Sequence, residues 1–302
     1  MIKTTKTDNY ITIHTLVVTI FLMGFLICVK PSLASNKASL PTNQNVDKFQ
    51  QHQGDIGHFL HKDQVDTLLA GPDSYLMLIN ENTHVVNKGI MVIIPDWEQA
   101  VIHPKAPRFL QNIFPQNGWT TIAVYPPAKP LNYPSITLDK VKQAQENDSM
   151  LSAYTEKLSV LIKAVIKRAR NYPGHIFIIS QGNNAAIIAN ILAQNEHAEG
   201  DEFTVDGIIL LSSFLHSDEN NIDSINSQFA NTLAHSDIPI LDLTLRHDHL
   251  IVQKKADERS VLAKRERKVF YRHRMLNNVV AGVYPEQDLI SQIKRWLVSI
   301  GW

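Results

Sequence analysis

The 302-residue sequence has a single cysteine, Cys28. An intramolecular disulfide framework, a cysteine-rich zinc site and a thiol relay each need more than one, so all three are excluded. Net charge is missing too, with 29 lysines and arginines against 29 aspartates and glutamates. That balance leaves no electrostatic footprint for nucleic acid and no polybasic surface for anionic lipid. The apolar run from Leu16 to Val29 falls short of the roughly 20 residues that cross a bilayer as a helix. After residue 60 no Pro/Gly/Ser-rich linker divides the chain, and no segment repeats itself.

What is present begins with that short run. Lys3 and Lys6 precede it, and Ser32 and Ala34 place small side chains where a signal peptidase needs them. Residues 1–34 therefore read as a secretory signal cleaved after Ala34, with an uncleaved membrane anchor as the alternative. Bulky Leu26 and Ile27 argue against a lipid anchor at Cys28. Cleavage removes Lys3, Lys6 and Lys30 against Asp8 alone, leaving 26 basic and 28 acidic residues and no thiol. The expected location is outside the cytoplasm, in the periplasm. Residues 35–55, rich in Asn, Gln, Lys and Ser, bury too little to order themselves and read as a polar leader. Residues 56–302 read as one domain, since 44% hydrophobic residues supply a core large enough without disulfides.

Within that domain strands and helices alternate. Gln64–Ala70 and Ser74–Asn80 flank Gly71-Pro72-Asp73 as an antiparallel hairpin. Continuous β-branched or apolar runs then follow at Gly89–Ile94, Trp119–Val124, His175–Ile179, Gly207–Leu211, Pro239–Leu245 and Val269–Met275. Such runs are strands buried on both faces. Between them, apolar residues at steps of three and four predict a helix at 149–170, and further helices are expected at 107–116, 185–193, 252–267 and 285–299, with another in the Ser/Asn/Asp-rich stretch after residue 212. The expectation is an α/β fold with a mostly parallel sheet of about eight strands covered on both faces.

This pattern resembles the α/β-hydrolase fold. The segments KGIMVIIPDWEQ (Lys88–Gln99), NGWTTIAVYPP (Asn117–Pro127), IPILDL (Ile238–Leu243) and YPEQDLISQIKRWL (Tyr284–Leu297) resemble, more narrowly, an uncharacterised family of exported bacterial proteins, a domain of unknown function on that fold. The resemblance implies the fold and no established reaction.

A hydrolase of this fold carries its nucleophile on a strained turn between strand and helix, usually within G-x-S-x-G. The matching stretch here is Ile178-Ile179-Ser180-Gln181-Gly182-Asn183-Asn184, which fits in two registers. In one, Gly182 takes the nucleophile position and no nucleophile exists; the length of the apolar strand and Ala185-Ala186 favour it. In the other, Ser180 is the nucleophile and Ile178 crowds the helix where a glycine is wanted. Asp248, after the seventh strand, is the candidate acid, and Asp242 reads as a residue within that strand. The loop Leu276–Tyr284, where the base belongs, has no histidine; His273 lies inside the last strand, leaving His247 or His103 as substitutes.

Gln181, Gly182, Asn183 and Asn184 form the other candidate site. Carboxamides at a helix N-terminus beside a strand end can hold a carboxylate, phosphate or sugar, or they can simply cap the helix. His247-x-His249 with Asp248 has ligand types but is too common a pattern to name a metal, and Ser212-Ser213 read as a turn. No cofactor is expected. The charged run Lys254–Lys268 reads as a solvated helix face. Two functions survive: binding of a small molecule or an envelope partner by a hydrolase fold without a complete triad, and a serine esterase using Ser180. Contact with a membrane is expected only through an uncleaved signal segment.

Overall fold

The computed structural model describes residues 65–302 apart from 98, 100–104, 199 and 201. The signal segment, the 35–55 leader, Cys28 and His103 lie outside the described residues.

The first two strands are β1 (Val65–Ala70) and β2 (Asp73–Asn80), paired antiparallel across Gly71-Pro72. Gly71 sits at φ +62, the left-handed conformation that glycine adopts without a Cβ penalty. β3 (Gly89–Ile94) and β4 (Trp119–Val124) follow, each buried along its whole length. The remaining strands are β5 (His175–Gln181), β6 (Gly207–Leu211), β7 (Ile240–Leu245) and β8 (Tyr271–Leu276). The sheet order is β1-β2-β4-β3-β5-β6-β7-β8, with β2 antiparallel to both its neighbours, β1 and β4, and every other pairing parallel. The eight-stranded sheet with an antiparallel start is thus the one the sequence pattern predicts.

Among the described residues six α-helices cover it: α1 (Ala106–Ile113), α2 (Lys140–Ala169), α3 (Gly182–Asn195), α4 (Ile222–His235), α5 (Leu250–Arg265) and α6 (Glu286–Ser299). The parallel strands have apolar side chains on both faces, so they make two cores. Ile176 and Ile178 of β5 pack with Leu158, Leu161 and Ile162 of α2 and with α3 and α4. Phe177 and Ile179 pack the other way, with Leu110 of α1 and Ile293 and Trp296 of α6. The period of two along a strand sorts these residues between the layers.

Two expectations are corrected. α2 begins at Lys140, not at residue 149, because Asp139 caps it, its carboxylate accepting from the N–H groups of Val141 (2.9 Å) and Lys142 (3.2 Å). The first turns of α2 face outward and carry no apolar period, so composition alone hides them. The charged run of α5 is not a plain solvated face either. Arg259 is 1% exposed and Lys255 4%. Arg259 pairs through Nε and Nη2 with the two oxygens of buried Asp242, at 2.8 and 3.2 Å. The Tyr271 hydroxyl donates to the same carboxylate at 2.7 Å. Lys255 reaches Asp223 at 2.7 Å and Glu258 at 2.8 Å, tying α5 to α4. No helix of the described residues is long and apolar enough to cross a membrane.

The topology fixes where a ligand can approach. After β3 the chain turns toward α1 and β4 on one side; after β5 it turns toward α3 and β6 on the other. Open α/β sheets bind their ligands at such a switch point, outside the carboxyl ends of the strands.

Candidate functional site

The strand–turn–helix after β5 is built on one glycine. Gln181 is extended (φ −123, ψ 150), Gly182 turns at φ +59, and the helix α3 starts at once. Gly182 therefore stands at the apex, and Ser180 lies within β5, opposite Ile94 of β3. The Ser180 hydroxyl is 1% exposed and donates to the Ile94 carbonyl at 2.9 Å. That bond fixes the serine inside the sheet.

The space over the apex belongs to Asp96, the second residue after β3. A Cβ on Gly182 would overlap the Asp96 carboxylate. Asp96 Oδ1 accepts from the backbone N–H groups of Trp97 (3.0 Å), Asn183 (3.0 Å) and Asn184 (3.3 Å). Oδ2 accepts from the Asn183 side-chain amide at 3.3 Å. Burial raises the Asp96 carboxyl above its ordinary value, and these hydrogen bonds pull the other way. In an α/β-hydrolase, the N–H after the nucleophile and an N–H from the loop after the third strand form the oxyanion hole. The matching groups here, on Asn183 and Trp97, are both held by Asp96.

The carboxamides expected to meet a ligand are brought together but are mostly used internally. Asn183 Oδ1 accepts from the His216 N–H at 2.7 Å. Asn184 is fully buried; its amide donates to the Pro95 carbonyl (2.8 Å) and its oxygen accepts from the Tyr154 hydroxyl (2.7 Å). Trp97 packs edge-on against Tyr133 and Tyr154 and closes this side. The amides at the α3 N-terminus thus donate to a carboxyl group of the protein itself, Asp96. Gln181 differs, because it is 8% exposed and its Oε1 has no hydrogen-bond partner.

Asp248 lies in the turn after β7, one oxygen accepting from the His249 N–H at 3.0 Å and the other buried with no partner. The His247 side chain is exposed, while its N–H donates to Asn278 at 2.8 Å. His249 caps α5, its ring nitrogen accepting from the Ile251 N–H at 3.4 Å. His273 stays inside β8, with Nε2 2.9 Å from the Thr244 hydroxyl, and burial lowers its pKa. The loop after β8 instead contributes Tyr284, whose hydroxyl shares a 2.6 Å hydrogen bond with Ser212. Burial pushes the Tyr284 phenol well above its ordinary value, which keeps it protonated. Ser212 holds φ +47, an uncommon conformation for a residue with a side chain.

Sequence reasoning missed Asp96 and Tyr284. Pro95-Asp96-Trp97 looks like a strand stop, and a tyrosine in a loop carries no motif. The signal for Asp96 was its place immediately after the third strand of a doubly wound pattern. Among the described residues, the group able to hold a metal is Glu196, His197 and Asp237, with ligand atoms within 4.8 Å of one another. These follow α3 and precede β7, at the edge opposite the turn after β5, and Glu196 already accepts from the Asp237 N–H at 3.0 Å.

Sheet order, antiparallel start and the turn after β5 define an α/β-hydrolase-like protein. Solved structures agree on the fold. Est1E from Butyrivibrio proteoclasticus superposes with a TM-score of 0.55 at 9% identity, covering 78% of this chain and 98% of its own. Esterase 2 of Thermogutta terrifontis, in the form phosphorylated by paraoxon, gives 0.52 at 11% identity, over 80% and 96%. No curated protein sequence matches the chain significantly. The chain belongs to the family described as protein of unknown function (DUF3530), whose model matches residues 15–299.

Proposed function

We propose that this is an exported, non-catalytic α/β-hydrolase-fold protein that binds a small molecule or an envelope partner at the carboxyl edge of its sheet. The observation that carries the reading is the Asp96 carboxylate seated over Gly182. Acyl transfer on this fold needs a nucleophile at the apex and two free amides for the developing oxyanion. Gly182 offers no nucleophile, and the amides already donate to the Asp96 carboxyl group. Ser180 is turned into the strand pair, and the loop after β8 supplies a protonated tyrosine where a triad places its base. Export rests on the apolar run Leu16–Val29, preceded by Lys3 and Lys6 and followed by the small residues Ser32 and Ala34.

A fluorophosphonate probe tests the reading, because esterase 2, which shares this fold, is phosphorylated by the organophosphate paraoxon. The expected result is no covalent labelling of the folded protein. Stoichiometric labelling that disappears in Ser180→Ala would overturn it in favour of a serine hydrolase. Export is checked by cell fractionation with N-terminal sequencing, the expected mature residue being Ser35.

A further inference from the structure

The chain is neutral overall, but its charges are not evenly spread. From Lys264 to Arg274 the sequence KRERKVFYRHR has Glu266 as its only acid. Arg265 already pairs with Glu266 at 2.9 Å, and Lys268 turns inward to the Ser236 hydroxyl at 3.1 Å. Arg272 and Arg274 are left, on β8, and neither guanidinium has an ion pair or hydrogen bond among the described residues. β8 ends the sheet: β7 flanks it on one side, and no described strand lies on the other.

The register fixes which groups of β8 face outward. Phe270 and Leu276 turn their carbonyls to the β7 side, accepting from the N–H groups of Ile240 and Arg246, each at 2.8 Å. The pairing between them is continuous, so the even-numbered residues bond to β7. The N–H and C=O groups of Tyr271, His273 and Met275 therefore point away from it. Arg272 and Arg274 lie opposite Leu241 and Leu243 of β7, on the face that α6 covers. The side chains around this outer row are open to solvent: Arg274 is exposed, Phe270 is 48% exposed and Met275 43%.

An unpaired row of backbone groups is a template for another strand, and charge decides which strand fits. A second copy of β8 does not. In a two-fold antiparallel pair Tyr271, His273 and Met275 must bond one another, which sets Arg272 and Arg274 of one copy opposite those of the other. Like charges directly opposite are unfavourable. β1, the outer strand at the far side, brings Asp66 as its only acid. That carboxylate already accepts from the Thr67 N–H at 2.8 Å and meets Arg168 at 3.5 Å.

We infer that the outer edge of β8 docks an extended acidic segment of another protein, which continues the sheet and sets carboxylates at alternate positions against Arg272 and Arg274. Strand addition supplies main-chain hydrogen bonds, and the two arginines supply the selection. This surface is at the side of the sheet, apart from the carboxyl ends of the strands, and docking there stands whether or not the protein is catalytic. Charges on an edge also serve to keep it unpaired, and the experiment separates the two roles.

The test uses the full chain and two fluorescein-labelled peptides as long as β8, one alternating glutamate with valine and the other lysine with valine. Binding is followed by fluorescence anisotropy. The glutamate peptide is expected to bind at least about tenfold more tightly than the lysine peptide, and less tightly as salt is raised. Arg272→Ala with Arg274→Ala should lower its affinity about tenfold. Arg272→Glu with Arg274→Glu should transfer the preference to the lysine peptide. Met275→Pro removes one outward N–H without touching the β7 ladder, and should weaken the glutamate peptide at unchanged charge. Circular dichroism confirms that each variant is folded. Binding of neither peptide, or of both alike, leaves the arginines the role of keeping the edge unpaired and overturns the inference. So does an arginine variant, or a Met275→Pro variant, that binds as wild type does. Size-exclusion chromatography should give one mass for wild type and Met275→Pro; a wild-type dimer that this variant splits makes a second copy the occupant and overturns the inference as well.

Discussion

Asp242 and Asp248 lie on the same strand and its following turn, yet the molecule treats their charges in opposite ways. Asp242 is fully buried, and both its oxygens are met by Arg259, with Tyr271 adding a third donor. The Arg259 guanidinium also lies over the Phe229 ring, 5.2 Å from its centre, which links α4 to α5. Asp248 has a single backbone donor, and its second oxygen, though buried, has no partner. A charge closed off by its neighbours holds elements together. A charge left half-met at the end of a strand joins no elements, so the proposed function is placed at the carboxyl edge and not in the Asp242 network.

The largest break in this comparison comes from opening the closed network. Arg259→Ala leaves Asp242 buried without its counter-ion and is expected to destabilise the fold by about 3–5 kcal/mol in urea unfolding. The double variant Asp242→Leu with Arg259→Met replaces the pair by apolar groups and should recover most of that loss. A double variant as unstable as Arg259→Ala would mean that the pair's geometry, and not its unmatched charge, matters. Smaller, and at the other region, Gly182→Ala forces a Cβ into a left-handed residue and against the Asp96 carboxylate. About 1–3 kcal/mol is expected from the backbone alone, measured as a shift in the unfolding midpoint.

The smallest effect is a pH dependence. Burial raises the Asp96 carboxyl in the folded protein, while the unfolded chain releases its proton near the usual value of about 3.9. Above that value the folded state keeps a proton that the unfolded state has lost, so Asp96 costs stability as pH rises through the interval. Asp96→Asn removes the titration. The stability difference between variant and wild type should move in favour of the variant from pH 4 upward until the folded carboxyl has ionised. A flat difference would show that the four hydrogen bonds cancel the burial.

Much of the fold was legible because buried parallel strands leave an unambiguous mark. Gly89–Ile94, Trp119–Val124 and Gly207–Leu211 are continuous apolar runs, and the strands occupy those same residues. The start of α2 was not legible, since its first turns bury almost nothing and only the Asp139 cap announces them. Arg259 was invisible for a related reason: a basic residue in a charged run reads as solvated unless its partner, 17 positions away in Asp242, is known to face it.

The site divides along the same line. Local sequence was enough to offer two registers around Ser180 and Gly182, because the length of an apolar strand and the need for a small residue at a tight turn are both properties of a few consecutive positions. It also put Asp248 after β7 and no histidine after β8. Only the tertiary structure decided that Asp96 reaches across from β3 to lie over Gly182. The same holds for Tyr284 taking Ser212 as its partner, and for Arg272 and Arg274 falling on the outermost strand of the sheet. Those relations join residues dozens of positions apart, and they arise from sheet order, which no local pattern of hydrophobicity encodes.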